Sequence, residues 1–464
     1  MEAEVEVVRR ERSPGVKLLF AALIGVSLMI PLLLVYALVY DRQDQSNTAQ
    51  SAINAGWGGP QLVAGPVLVV PYRTTETQVE TIGGSPVSKS VEVERELFVS
   101  PVGNDVKTKV LPQERRKSIY RAVLFEAQIA GRAQFALPQD LPRFGVEADK
   151  LAWDRAELRM GASDARGLTG GGRMVADGRP LTVEPGKGPA ATGGQGFFAF
   201  VPWNGEGTLD VAYEFGLRGS GSLSLVPRGG RTQWQVQSSW PSPSFGGGFL
   251  PETRKVGDDG FTATYAVDKL ALGQPPVSIG DDAGTQPPVA DYRVATAAGV
   301  RTTTITVGLF EPVDLYSKVD RAVKYGFLFI GFTFVAYLLF DVVGGAHVAP
   351  AEYLLTGAAL VLFFVLLLAF AEVIGFTGAY LVASGAVVGL LTAYSAAVLG
   401  SWRRAGFIGA LLVGLYATLF VLLNLEALSL LIGSVLLFVA LAGVMYATRK
   451  VDWGQVGQRE PAAP

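Results

Sequence analysis

The side chains able to carry out chemistry are few in this chain and poorly placed for catalysis. Histidine occurs once in 464 residues, at His347, and cysteine does not occur. A serine triad or a histidine zinc site therefore lacks its imidazoles, and no thiolate nucleophile or disulfide can form. Carboxylates, hydroxyls, lysine and tyrosine remain. Adjacent acids stand at Asp258-Asp259 and Asp281-Asp282, where paired carboxylates could divide acid and base work. Both pairs sit in Gly-rich stretches, which predicts solvated turn carboxylates instead. No D-x-D-x-D-G loop is present to wrap calcium. The inventory argues against an enzyme, a metal centre and a bound cofactor.

Three stretches have residue types suited to binding. Ser163-Asp164-Ala165-Arg166-Gly167 places an acid and a base two apart, on one side of a strand. That spacing predicts an internal ion pair, in a buried network where each charge also pairs with other groups, with ligand capture as the alternative. The run from Ser239 to Pro251 combines Trp240, Phe245 and Phe249 with prolines and Gly246-Gly247-Gly248. It reads as a packed connection between sheets or as a binding lip. Gly193-Gly194-Gln195-Gly196 permits close backbone approach, but no helix follows to make it a phosphate loop. Asp164, Arg166, Trp240, Phe245 and Phe249 are the candidate ligand-binding residues.

The elements that must position them follow from hydropathy. A hydrocarbon core about 30 Å thick needs roughly 20 apolar residues per helix. Val16–Tyr40 meets that length, and Tyr325–Thr448 holds five more spans: Tyr325–Val343, Tyr353–Val373, Phe376–Leu399, Ala405–Asn424 and Leu428–Thr448. The first span is longer than a signal-peptide core and no small-x-small cleavage site follows, so it reads as a retained anchor. Asp341, Glu352, Glu372 and Glu426 fall at span ends, where they are expected to reach water. Gly331, Gly357, Gly385, Gly389, Gly409 and Gly414 are expected to permit close helix packing.

The chain thus divides into a tail over 1–15, an anchor over 16–40, a β-rich domain over 41–323, a five-helix block over 325–448 and a tail over 449–464. Arg9, Arg10, Arg12 and Lys17 precede the first span, and Arg403-Arg404 and Arg449-Lys450 agree with it on one side. The positive-inside rule puts both termini in the cytoplasm and the β-rich domain outside. Lys318, Arg321 and Lys324 run against this rule at the outer end of the second span. Long domains translocate largely regardless of such charges.

Within the large domain, apolar residues alternate with polar ones. Leu209, Val211, Tyr213 and Phe215 oppose Thr208, Asp210 and Glu214; Val91, Val93, Leu97 and Val99 oppose Glu92, Glu94 and Glu96. Further strands are expected in Val67–Tyr72, Ile119–Phe135, Arg155–Met160, Phe197–Val201, Thr232–Ser239, Phe261–Val267 and Arg301–Val307. The expected fold is a six-helix membrane bundle carrying a β-rich, sandwich-like insert. Asp41–Ala55 is expected to extend the first helix outward, and Asp281–Pro288 to be a loop. The domain has no basic stripe, which argues against nucleic acid.

On these segments the chain resembles the CreD family of bacterial inner-membrane proteins. The resemblance covers nearly everything after residue 15. It rests on Gly59-Pro60-Gln61-Leu62-Val63-Ala64-Gly65-Pro66, on Asp164-Ala165-Arg166-Gly167, and above all on Trp240–Pro251, which is similar to a Trp-Pro-x-Pro-Ser-Phe…Phe-Leu-Pro signature. Asp314-Leu315-Tyr316, Arg321–Tyr325 and Thr448–Trp453 resemble the family's entry to the second span and exit from the last. The family's His-Pro-x-Gln-Tyr is here His347–Tyr353, lengthened and with Glu352 in place of Gln. Its Ser-Glu-His is Ala371-Glu372-Val373, without the histidine. The resemblance implies a role in envelope integrity and stress, and supplies no catalytic residues.

The sequence therefore points to a non-enzymatic inner-membrane protein that touches the lipid bilayer and binds through a periplasmic β-rich domain. The expected partner is a periplasmic protein, a peptide or an envelope lipid. A transporter or lipid-handling protein gated by the β domain is the alternative, ahead of a carboxylate-dependent hydrolase.

Overall fold

Alternation decides where the long strands form. Leu209, Val211, Tyr213, Phe215 and Leu217 turn inward while Asp210 and Glu214 face out, in the strand Leu209–Ser220 of a computed structural model. The structure describes residues 14–82, 85–117, 120–281, 303–309, 315–342, 348–424 and 429–449.

Two sheets emerge, with strands numbered in chain order. The first runs β13 (Ser244–Gly247), β17 (Ile305–Gly308), β11 (Ser222–Val226), β1 (Gln61–Ile82), β5 (Glu157–Ala162), β9 (Gly196–Phe200) and β8 (Glu184–Pro185). In it, β2 (Ser85–Val99) pairs with β1, and β16 (Val277–Ser278) with β2. The second runs β14 (Thr253–Gly257), β15 (Gly260–Asp268), β12 (Arg231–Ser238), β3 (Gly103–Lys117), β4 (Tyr120–Phe135), β10 (Leu209–Ser220), β6 (Leu168–Ala176) and β7 (Arg179–Leu181). Pairing is antiparallel except for β1 with β11 and β12 with β3.

Inward side chains of both sheets, among them Leu68, Leu97 and Leu158 from the first and Val106, Ile129 and Phe215 from the second, form one hydrophobic cluster. A fully buried Leu or Phe contributes about 2 kcal/mol of transfer free energy, so a core of this extent folds without disulfides. Two polar pairs are admitted to it with their hydrogen bonds made. Tyr213 Oη donates to Asn104 Oδ1 at 2.9 Å, and Trp234 Nε1 donates to Thr108 Oγ1 at 2.8 Å. Burial raises the Tyr213 hydroxyl above its ordinary pKa, which keeps it a neutral donor. The hairpins β1–β2 and β3–β4 keep their register out to Ile82–Ser85 and Lys117–Tyr120, past the core, so Val91 and Val93 are only half-buried.

Apolar helices form the second unit. Among the described residues the helices in chain order are α1 (Pro14–Ser27), α2 (Met29–Ala55), α3 (Lys269–Leu272, within the β-rich unit), α4 (Leu315–Lys324), α5 (Gly326–Val342), α6 (Pro350–Ile374), α7 (Phe376–Val398), α8 (Trp402–Asn424) and α9 (Ser429–Thr448). Among the described residues, five helical segments are long and apolar enough to cross a membrane: Val16–Asn54, Leu315–Asp341, Pro350–Ile374, Phe376–Val398 and Trp402–Asn424. The α1–α2 break at Leu28 lies just ahead of Pro31, which has no N–H to donate to Ser27. As expected, α2 runs on through Asp41–Ala55. The chain splits into Met1–Ser46 with Val313–Pro464, and Asn47–Pro312. This boundary puts α4 with the membrane helices, ahead of the limit of 323 read from the sequence.

Of the glycines expected at helix crossings, two are tightly enclosed. A Cβ on Gly357 would lie 2.0 Å from Leu28 Cδ1, and one on Gly409 would lie 2.6 Å from Thr392 Oγ1. Gly331, Gly385, Gly389 and Gly414 have open space, which corrects the expectation for those four.

Candidate functional site

Three of the segments singled out in the sequence meet around one buried side chain, Gln61. Its Nε2 donates to the carbonyls of Arg218, at 2.8 Å, and Asp164, at 3.3 Å. Its Oε1 accepts from Asp164 N at 3.2 Å and from Ser163 Oγ at 3.3 Å. Gln195 of the Gly-Gly-Gln-Gly stretch accepts from Ala165 N through its own Oε1, at 3.2 Å. Gly167 is required here, because a Cβ would lie 2.4 Å from the Arg218 carbonyl. Gly58 is required too, with φ +126° and 2.9 Å between a Cβ and the same carbonyl.

Asp164 and Arg166 do not lie on a strand. Asp164 caps the 3-10 turn Ala165–Gly167, taking Arg166 N at 3.1 Å. Arg166 Nε and Nη2 meet the two carboxylate oxygens at 2.9 and 2.8 Å. The Arg166 side chain is 74% exposed and that of Asp164 17%. The expected internal ion pair is present, and the buried network with separate partners is corrected: the turn bends the backbone enough for the two to pair directly. The Arg166 guanidinium, helped by N–H groups of Arg166 and Gly59, holds the Asp164 carboxyl below the usual carboxylate range against partial burial.

Beside this knot stands Trp57, which sequence reading missed. The guanidiniums of Arg115 and Arg218 lie 4.6 and 4.5 Å from its ring centroid, and Trp57 Nε1 donates to the Phe125 carbonyl at 3.4 Å. Arg218 also reaches Glu126 at 3.2 Å. The result is an indole held among guanidiniums, an arrangement suited to binding anionic groups.

The aromatic stretch is placed elsewhere in the same unit, as the crossover from β12 in one sheet to β13 in the other. Trp240 joins the hydrophobic core, with Nε1 donating to the Ser242 carbonyl at 3.1 Å. Phe245 and Phe249 pack against that core, Phe245 edge-on to Phe261 at 5.7 Å. The neighbouring Leu250, 71% exposed, offers apolar surface, and Phe245 and Phe249 remain partly exposed. The five residues proposed from sequence thus form two separate places, and the Asp164–Arg166 place is the more accessible.

Two acidic residues depart from their expected setting. Asp281 is only slightly exposed, ion-paired with buried Arg228 at 2.8 Å and accepting from Ala190 N, rather than solvated in a turn. Asp341 is buried, its carboxylate 2.7 Å from Lys17 Nζ, rather than reaching water. Glu352 caps α6 through Ala349 N at 2.7 Å, and Glu372 accepts from Tyr316 Oη at 3.2 Å. His347, Asp282 and Glu426 lie outside the described residues. Among the described residues, no three His, Cys, Asp or Glu side chains gather as a metal site.

A family model described as Inner membrane protein CreD matches residues 13–454. Inner membrane protein CreD of Escherichia coli strain K12 is 33% identical over 436 residues, covering 92% of this chain and 90% of that protein. Gly59–Pro66 and Asp164–Gly167, which meet at Gln61, and the crossover at Trp240 are among the segments on which the resemblance rests. This chain belongs to the CreD family of inner membrane proteins.

Proposed function

We propose that the chain is a non-enzymatic inner-membrane protein that supports the cell envelope by binding, with the β-rich unit in the periplasm. In this reading the helices cross six times, α9 being the sixth crossing, both termini are cytoplasmic, and the two sheets pack as a sandwich. One observation carries the binding role: beside the knot at Gln61, the guanidiniums of Arg115 and Arg218 both lie over the Trp57 ring. Such a face suits an acidic segment of a periplasmic protein, whose carboxylates would meet the guanidiniums.

The test is in-cell photocrosslinking from positions 115, 166 and 250 of the full chain. A discrete adduct from 115 or 166 supports this reading, and labelling no different from that at an exposed control such as Asp154 rejects it. The alternative of a transporter or lipid-handling protein is favoured by Asp341 Oδ2, Tyr353 Oη and Thr356 Oγ1, buried polar atoms without a hydrogen-bond partner.

A further inference from the structure

The basic residues that run against the positive-inside rule sit on α4, and the structure gives them a physical setting. This helix is amphipathic. Tyr316, Val319, Ala322 and Val323 are buried against the other membrane helices. Lys318, Arg321 and Lys324 follow at i, i+3 and i+6, an arc of about 120° opposite that face at 100° per residue. The helix breaks at Tyr325, and α5 then runs 17 residues, apolar but for Thr333 and, near its far end, Asp341. At 1.5 Å per residue α5 spans about 26 Å, close to the hydrocarbon thickness, which leaves the charges of α4 at the level of the headgroups.

The end of the helical unit at α4 is also lined with aromatic rings. Lys318 Nζ lies 5.2 Å from the Phe376 ring centroid, at the turn between α6 and α7. Lys324 Nζ lies 5.7 Å from that of Tyr36, which contacts Tyr40 edge-on at 4.9 Å. Tyr316 reaches Glu372 on the same turn. Asp320 pairs with Lys324 at 2.7 Å and leaves that ammonium 54% exposed. Cations seated on an aromatic belt, on the outward arc of an amphipathic helix, match the chemistry of an anionic headgroup.

We propose that Lys318, Arg321 and Lys324 form a binding site for the phosphate of an anionic phospholipid in the leaflet at this end of the bundle. The site lies in the helical unit and does not depend on the binding reading of the β-rich unit. It also accounts for cations at a span end where sorting would otherwise disfavour them.

The test is native mass spectrometry of the full chain released from detergent, titrated with phosphatidylglycerol and, separately, with phosphatidylcholine. The wild type should retain phosphatidylglycerol preferentially. Lys318→Gln with Arg321→Gln and Lys324→Gln should abolish the preference, by about fivefold for each cation removed, with phosphatidylcholine unaffected. Should the triple variant fail to fold, Lys318→Gln alone should lose about fivefold and Lys318→Arg should lose none. Inorganic phosphate at equal concentration should not displace the lipid. Unchanged selectivity in a folded variant, or displacement by inorganic phosphate, overturns the proposal.

Discussion

Arg166 turns back on Asp164 through two parallel hydrogen bonds, Nε to one carboxylate oxygen at 2.9 Å and Nη2 to the other at 2.8 Å. The acid does more than accept the guanidinium. It caps its own turn and is held between backbone N–H groups, while the arginine extends into solvent. Removing the two residues should therefore have unequal effects.

Arg166→Ala should lower stability by under about 1 kcal/mol, as for other exposed ion pairs. Asp164→Ala should cost about 1–2 kcal/mol because it also removes the cap. Urea unfolding of the β-rich unit, followed by tryptophan fluorescence, measures both. A larger loss for Arg166→Ala would restore the buried-network reading.

The same carboxyl predicts a pH dependence. Its folded pKa is depressed, so its contribution is complete at neutral pH and fades as pH falls through the folded value. The stability gap between wild type and Asp164→Asn should hold at pH 7 and close below about pH 4, under the usual carboxylate range. A gap that widened in acid would contradict the ion pair.

Gln61→Ala should cost more than Arg166→Ala, about 2–3 kcal/mol, since it strands the Arg218 carbonyl and the Asp164 N–H in a buried place. It should also weaken crosslinking from position 115, because Trp57 and Arg218 share that knot. Normal stability would show that the three segments hold together without it.

In the Arg228–Asp281 pair the arginine is buried and the acid nearly so, so Arg228→Ala should cost about 3 kcal/mol by leaving an uncompensated carboxylate. Arg228→Met combined with Asp281→Leu should recover much of that loss. Equal losses in the single and double variants would mean that the carboxylate acts mainly through Ala190 N.

Much of the β-rich unit was legible because alternation is a local signal. β10 follows from five inward apolar residues and β15 from Phe261, Ala263, Tyr265 and Val267. β3 was not legible, since its inward set includes Asn104 and Thr108, whose partners Tyr213 and Trp234 lie more than a hundred residues away. The settings of Asp281 and Asp341 were missed for the same reason: Arg228 and Lys17 are remote in sequence, and only the fold brings them near. At the candidate site the segments themselves were visible, but their meeting at Gln61 was not. Trp57 carried no signal beyond an aromatic residue among glycines just past a helix end, and nothing local links it to Arg115.

The account depends most on which side of the membrane the β-rich unit occupies, and cysteine accessibility measures this directly in a chain with no native cysteine. Ser51→Cys, Lys109→Cys and Glu252→Cys are at exposed positions of that unit. All three should react with a membrane-impermeant maleimide in intact spheroplasts, whereas Ser401→Cys and Gln455→Cys should react only after lysis. Labelling at Ser401 in intact spheroplasts, or protection at Glu252, would contradict the exported β-rich unit and the six crossings.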